Sequence, residues 1–304
     1  MDITPMNHLR YLCCLLFVSC AVAAGPAQVL IVVGPSKHPP GSHEAAAGGR
    51  LMKHCIETMA NVPGVKAAVV YAWPDKALRD SASTVVFIGD TFPVGRFPNA
   101  AQNLADLDAM MQRGCGIVCV HYATGLLGED VTREGGHPLL GWLGGYFANR
   151  SCPHHESIAK IFTAATIMPE ATLHPIVRGW KEFTMHDEPY INNYFGTGGN
   201  KLAPNVTAIA TSMLPPEAPK RETVAWCVER TDGGRGFGIV MPHFYRNWTN
   251  EDLRRCILNG IVWTAKLEVP VGGVKTSLPD LTGFQPVSVD YVSPPPKVKK
   301  VDPK

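Results

Sequence analysis

The chain has 304 residues, 45% of them hydrophobic, and a formal net charge of +2 from 28 basic and 26 acidic side chains. That is enough apolar material for one large α/β domain or two small ones. So even a charge balance, with no Lys/Arg cluster inside the globular part, excludes binding driven by neutralising nucleic-acid phosphates.

Arg10 precedes an apolar run from Tyr11 to Ala24, followed by Gly25-Pro26, with Ala21, Ala23 and Ala24 as small residues at its end. Charge, apolar core and small cleavage residues in that order read as a secretory signal over residues 1–24. The run is too short to span a bilayer, so no membrane span is expected after cleavage and the mature chain is expected to be exported, to a periplasm. A lipoprotein reading with Cys20 as the lipidated residue is disfavoured by Phe17, where a small aliphatic residue is usual. Six cysteines remain after cleavage, with no CxxC pair, and read as small buried hydrophobes.

From there strands and helices alternate. Val29–Gly34 is a short continuous apolar run, the pattern of a strand buried on both faces. Glu44–Met59 has helical spacing, with Leu51, Met52, Cys55, Ile56 and Met59 on one side. Lys66–Ala72 and Thr84–Gly89 read as strands. Leu104–Arg113 is amphipathic and Gly114 ends it as a helix C-cap. Gly116–Val120 is a fourth buried strand and Pro138–Leu143 a short helix. Ser157 to about Pro219 is less regular and predicts an inserted, partly β subregion. Thr223–Glu229 and Phe237–Met241 return as strands joined at Asp232–Arg235, and Asn250–Lys266 is a final helix with Thr249 as the expected cap. Residues 25–274 then form the domain, and 275–304 a Pro- and Lys-rich strap or disordered tail whose basic run is Lys297–Lys304. The architecture implied is a doubly wound, mostly parallel sheet with an irregular β-containing insertion.

In such sheets ligands bind beyond the carboxyl ends of the strands. The strand ends here deliver His38 and His43, then Asp90, then His121-Tyr122, then His243. Loops add His154, His155, His186, Asp187 and Glu188. His121 sits at a tight strand-to-helix turn. Such an elbow needs small residues two positions to either side, here Cys119 and Ala123; around Cys119 those positions are Ile117 and His121. The elbow residue is therefore His121, and Cys119 points into the core, which argues against a thiol nucleophile. Histidines with a carboxylate can hold Zn²⁺ or Mn²⁺, or act as general acid and base. His43, His155, Glu188 and His243 are the candidate metal ligands. His121, His243 and Glu188 are the candidate catalytic groups. Tyr122, Asp90, Tyr190 and Trp248 are assigned to substrate binding, with Tyr190 and Trp248 placed to stack on a sugar face. The Gly233–Gly238 stretch lies between two strands and reads as a hairpin rather than a phosphate loop, so no nucleotide cofactor is expected.

Pro35-Ser-Lys-His…Gly-Ser-His-Glu44, Val118-Cys-Val-His-Tyr-Ala123, Leu143-Gly-Gly-Tyr-Phe147, His174-Pro-Ile-Val-Arg-Gly179, Asp187-Glu-Pro-Tyr190 and Ala225-Trp-Cys-Val-Glu-Arg…His243…Asn247-Trp248 together resemble the ThuA-like, or trehalose-utilisation, family over roughly Gln28–Val274. The resemblance implies a flavodoxin-like fold akin to the class I glutamine amidotransferases, with His121 at the elbow where those carry cysteine and His243 matching their late histidine. It implies no glutaminase activity. It further implies a role in carbohydrate metabolism on a sugar, glycoside or keto-sugar, either as an enzyme or as a non-catalytic binding or scaffold protein. A small-molecule sugar is the expected partner, and a homo-oligomer is compatible with the sequence.

Overall fold

The computed structural model describes residues 26–293. The expected signal segment and the basic run Lys297–Lys304 lie outside the described residues. Among the described residues no helix is long and apolar enough to cross a membrane.

In chain order the elements are β1 (Gln28–Val33), α1 (Ala45–Glu57), β2 (Lys66–Val70), α2 (Lys76–Ser81), β3 (Thr84–Ile88), α3 (Ala100–Gln112), β4 (Gly116–Val120), β5 (Gly125–Leu126), α4 (Pro138–Leu143), β6 (Phe147–Ala148), β7 (Phe162–Pro169), β8 (Phe183–Asp187), β9 (Val206–Leu214), β10 (Lys220–Glu229), β11 (Arg235–Ile239) and α5 (Glu251–Thr264). One sheet runs β2-β1-β3-β4-β11-β10-β9-β7-β8. Its first five strands pair in parallel, in the flavodoxin-like 2-1-3-4-5 order. The remaining pairs are antiparallel, and β7, β8 and β9 form the β-containing insertion that the irregular stretch 157–219 predicts. β5 and β6 pair separately.

The parallel core is dry: every residue of β3 and β4 is buried. Helices cover both of its faces. Successive strand residues point to opposite sides. A Cβ on Gly236 would run into the Trp142 carbonyl of α4, whereas the ring of Phe237 meets Gly260 of α5. α4 and α5 therefore lie on opposite faces, and the close approaches explain both glycines.

Two local expectations are corrected. The cap of α5 is Asn250, whose side chain accepts from Leu253 N at 3.0 Å, rather than Thr249, whose hydroxyl bonds back to Arg246 O at 2.8 Å. α3 begins at Ala100 instead of Leu104, because its first turn carries no apolar periodicity. Within the described residues, the segment after Pro270 includes a short turn of helix at Leu281–Phe284.

Candidate functional site

The strands place the polar residues. β1 ends in the loop Gly34–Glu44, which brings His43 to the start of α1. β3 ends at Asp90, β4 at His121, β8 at Asp187-Glu188, and β11 leads into His243. The site thus lies beyond the carboxyl ends of the parallel strands, beside the β1/β3 switch point. His43 and His121 both have positive φ, 50° and 51°. Non-glycine residues in that region carry strain, which packing must hold. At His121 the packing is the elbow itself: Cys119 and Ala123 are fully buried, and Thr124 Oγ1 donates to the His121 carbonyl at 2.7 Å.

Three imidazoles meet inside. His43 Nε2 lies 2.9 Å from His121 Nε2 and 3.0 Å from His243 Nδ1, and His121 Nε2 lies 3.2 Å from His243 Nδ1. Glu188 Oε2 is 3.2 Å from His243 Nδ1. All three histidines are buried, and the Glu188 side chain is 16% exposed. The four donor atoms lie within 4.8 Å of one another.

The outer partners fix the tautomers. Asp90 Oδ1 is 2.6 Å from His43 Nδ1, and its other oxygen holds His38 Nδ1 at 2.9 Å and accepts from Lys37 N at 2.7 Å. Burial pushes the Asp90 carboxyl up, but the hydrogen bonds from His38, His43 and the Lys37 N–H hold it well below the usual range. It is a carboxylate and only accepts, so His43 Nδ1 carries the proton. His121 Nδ1 lies 2.9 Å from the Val240 carbonyl and must likewise donate. Burial drives His43 down to about 4, against the raising effect of Asp90, and drives His121 well below its ordinary value. Both rings are neutral at pH 7, so both Nε2 atoms present lone pairs to the same point.

The Tyr190 hydroxyl donates to His121 Nε2 at 3.1 Å, and its ring stacks on His121 at 4.6 Å. Burial raises its pKa well above the ordinary tyrosine value, so it stays a hydroxyl. Asp187 Oδ1 accepts from His243 N and Phe244 N at 2.8 and 3.1 Å, which anchors the loop bearing His243. Its other oxygen is buried with no protein partner.

Several assignments from the sequence need correction. His155 is not in the cluster: its Nε2 meets Asn192 O at 2.7 Å and its ring lies against Tyr194. His154 bonds the Tyr146 hydroxyl at 2.8 Å. His121 takes the place among the donors given to His155. Tyr190 and Trp248, read as stacking platforms, are only 2% and 3% exposed. Tyr190 serves His121 instead, and Trp248 walls a cavity of about 20 Å³ against the three histidines, a space of ion or water size. Asp90 is turned inward to His43. His186 points outward to Arg246, as strand alternation next to buried Asp187 requires. Tyr122 remains at the rim, its hydroxyl accepting from Asn149 Nδ2 at 3.1 Å. The sequence places His38 on the ligand-side loop but gives it no role; its ring stacks on His43 at 3.5 Å and opens onto a cleft of about 550 Å³ that reaches Tyr71, Arg96 and Phe97. Its signal was there, five residues before His43 in the same strand-end loop.

The donor set of three imidazoles and one carboxylate suits Zn²⁺ or a similar borderline ion. Outer hydrogen bonds that fix ligand tautomers are the usual support of such sites. The pattern matches no thiol chemistry: Cys119 is fully buried, and burial raises its pKa well above the ordinary value.

Comparison with known proteins sets this geometry in a family. No curated protein sequence matches the chain. Among solved structures, a ThuA-like protein from Bacteroides uniformis is 14% identical, covers 82% of this chain and 95% of its own, and superposes with a TM-score of 0.54. A ThuA-like protein from Parabacteroides merdae is 16% identical over 84% and 94%, with a TM-score of 0.51. At such identities the likeness shows the fold. The family profile for trehalose utilisation matches residues 51–264, a span that holds Asp90, His121, Glu188, Tyr190 and His243 and starts just after His43. The chain belongs to the ThuA, or trehalose-utilisation, family, whose description sets a carbohydrate-related role.

Proposed function

We propose that the protein is an enzyme acting on a sugar, glycoside or keto-sugar, with His43, His121, His243 and Glu188 holding a divalent cation such as Zn²⁺ or Mn²⁺. The observation that carries this reading is the facing pair of Nε2 lone pairs 2.9 Å apart. Each is held unprotonated by an acceptor on the far side of its ring. Two acceptors in contact repel one another. Tyr190 can donate to His121 Nε2 and His243 Nδ1 to His43 Nε2, but the two lone-pair atoms still face each other in contact, and a cation between them turns that repulsion into attraction. Bound there, a divalent ion supplies Lewis acidity toward a sugar carbonyl or hydroxyl oxygen.

The protein's own groups do the rest. Asp90 and the Val240 carbonyl orient the two imidazoles. Tyr190 keeps a hydroxyl proton aimed at the centre. Tyr122 and Glu188 stand at the half-buried edge of the centre, the side from which this reading brings a substrate oxygen. The cleft at His38 has a volume in the range that takes a small-molecule ligand, with Tyr71 and Phe97 as aromatic walls. The carbohydrate-related family description supports the substrate class. The export signal read over residues 1–24 places the reaction outside the cytoplasm in this proposal.

The test is turnover of a panel of sugars, glycosides and keto-glycosides by the purified chain and by His121→Ala and His243→Ala. The reading expects turnover that both substitutions abolish. Unchanged turnover in either variant overturns it. Sugar binding with no turnover in the parent points instead to the non-catalytic alternative.

A further inference from the structure

The loop that carries His38 and His43 has little holding it from within. Pro39 and Pro40 supply no N–H, and its own backbone bond is Ser42 N to Pro39 O at 3.1 Å. It is gripped from two sides. On one side it is zipped to the segment that carries His243: His43 N donates to His243 O at 2.8 Å and Tyr245 N to Gly41 O at 2.9 Å. On the other side the chain returns after α5 and lies across it, with Val292 N donating to Pro40 O at 2.9 Å. Gly41 has φ 81°, and a Cβ there would run into the Asp290 carbonyl. The returning strap therefore sits on bare backbone.

Glu44 stands at the junction. Its carboxylate accepts from Gly41 N at 2.9 Å, from Val287 N at 2.9 Å and from Ser288 N at 3.0 Å. Hydrogen bonds to an ionised acceptor are the stronger kind. Val287 is 80% exposed, so its bond to Glu44 rather than packing holds that residue, whereas further along Val289 packs against the core and Tyr291 lies against Phe244. His38, His43, Glu44 and the whole strap lie outside the span that matches the family profile.

We propose that Glu44 is a positioning residue for His43: it clasps the C-terminal strap, residues 287–292, onto the loop 39–44 and so fixes where His43 Nε2 meets His121 and His243. The inference rests on the metal reading above. Removing an outer partner of a metal ligand weakens metal binding by about 10- to 100-fold, and the clasp, which reaches His43 through the loop backbone and not its ring, belongs at the low end of that range.

The experiment measures zinc affinity by chelator competition and amide hydrogen exchange on the full chain, on Glu44→Ala and Glu44→Gln, and on Val292→Pro, which removes a single N–H from a half-exposed residue. Glu44→Ala is expected to speed exchange at residues 41–44 and 287–288 and to weaken zinc binding about tenfold, with parent-like exchange in β1, β3 and β4. Glu44→Gln keeps one oxygen and recovers part of the loss, and Val292→Pro gives a smaller loss of the same kind. Parent zinc affinity in both Glu44→Ala and Val292→Pro overturns the proposal, as does unchanged exchange in the loop. A parent chain that binds no zinc is a different result: it brings down the metal reading itself, while the exchange data still show whether the strap holds the loop.

Discussion

His43 and His121 approach through unprotonated Nε2 atoms 2.9 Å apart, because Asp90 and the Val240 carbonyl take the proton-bearing nitrogen of each ring. Neither partner touches the centre, yet both decide what it can bind. Asp90→Asn keeps the size of the side chain and removes the charge that holds His43 in this tautomer. Metal affinity is expected to fall by about 10- to 100-fold, read by competition titration. Unchanged affinity contradicts the outer role given to Asp90.

Tyr190→Phe deletes one hydroxyl and keeps the ring stacked on His121. His121 Nε2 gives up its bond to this hydroxyl when it holds an ion, so metal content is expected to stay at the parent level. Turnover is expected to fall roughly 100-fold, as when one preorganised donor to a developing charge is lost. Equal turnover in variant and parent means that the Tyr190 hydroxyl serves packing alone.

All six cysteines of the described chain are reduced and buried. Burial raises Cys119 well above the ordinary thiol value and Cys115 to about 11. Iodoacetamide applied to the native protein at pH 7.5 is therefore expected to leave turnover and zinc content intact, checked by mass spectrometry of the treated chain. Inactivation that tracks alkylation of Cys119 contradicts the elbow assignment to His121.

The metal-free chain is expected to lose stability between about pH 6.5 and 4. His43 and His137 fall to about 4 in the folded state and His121 well below its ordinary value, each chiefly by burial. In that window only the unfolded chain binds their protons, so acidification favours unfolding. His43 alone accounts for on the order of 3 kcal/mol by pH 4. Asp187 works the other way. Burial raises it to about 6, so the folded state takes up its proton first and gains stability as pH falls from about 6 toward 3.8. Melting temperature against pH should therefore drop from 6.5 to 4, and more steeply in Asp187→Asn, which lacks the offset. A flat profile, or a shallower one in Asp187→Asn, contradicts these assignments.

The parallel half of the fold was legible because its strands are buried on both faces: β1, β3 and β4 read as unbroken apolar runs between glycines and helices. α2 gave no signal, since none of its six residues is buried. β9 was hidden by Thr, Ser and Ala, which pack in a strand without marking it as one. At the site, strand-end topology brought out His43, Asp90, His121 and His243, and the spacing of small residues separated His121 from Cys119. What the sequence could not show was which loop histidine turns inward. His154 and His155 are adjacent, and their directions follow from Tyr146 and Asn192, partners supplied by distant turns. Nor could it show that Tyr190 and Trp248 are covered, because that depends on partners distant in sequence, His121 and Phe147 for Tyr190 and the start of α1 for Trp248.

The most direct test is the metal content of the purified chain. The mature protein, made without a His tag or chelators, is analysed by mass spectrometry for bound metals before and after reconstitution with zinc and manganese. The account predicts close to one divalent ion per chain, lost in His43→Ala, His121→Ala and His243→Ala and retained in His155→Ala. No bound ion after reconstitution, or an ion that survives those three substitutions, contradicts it.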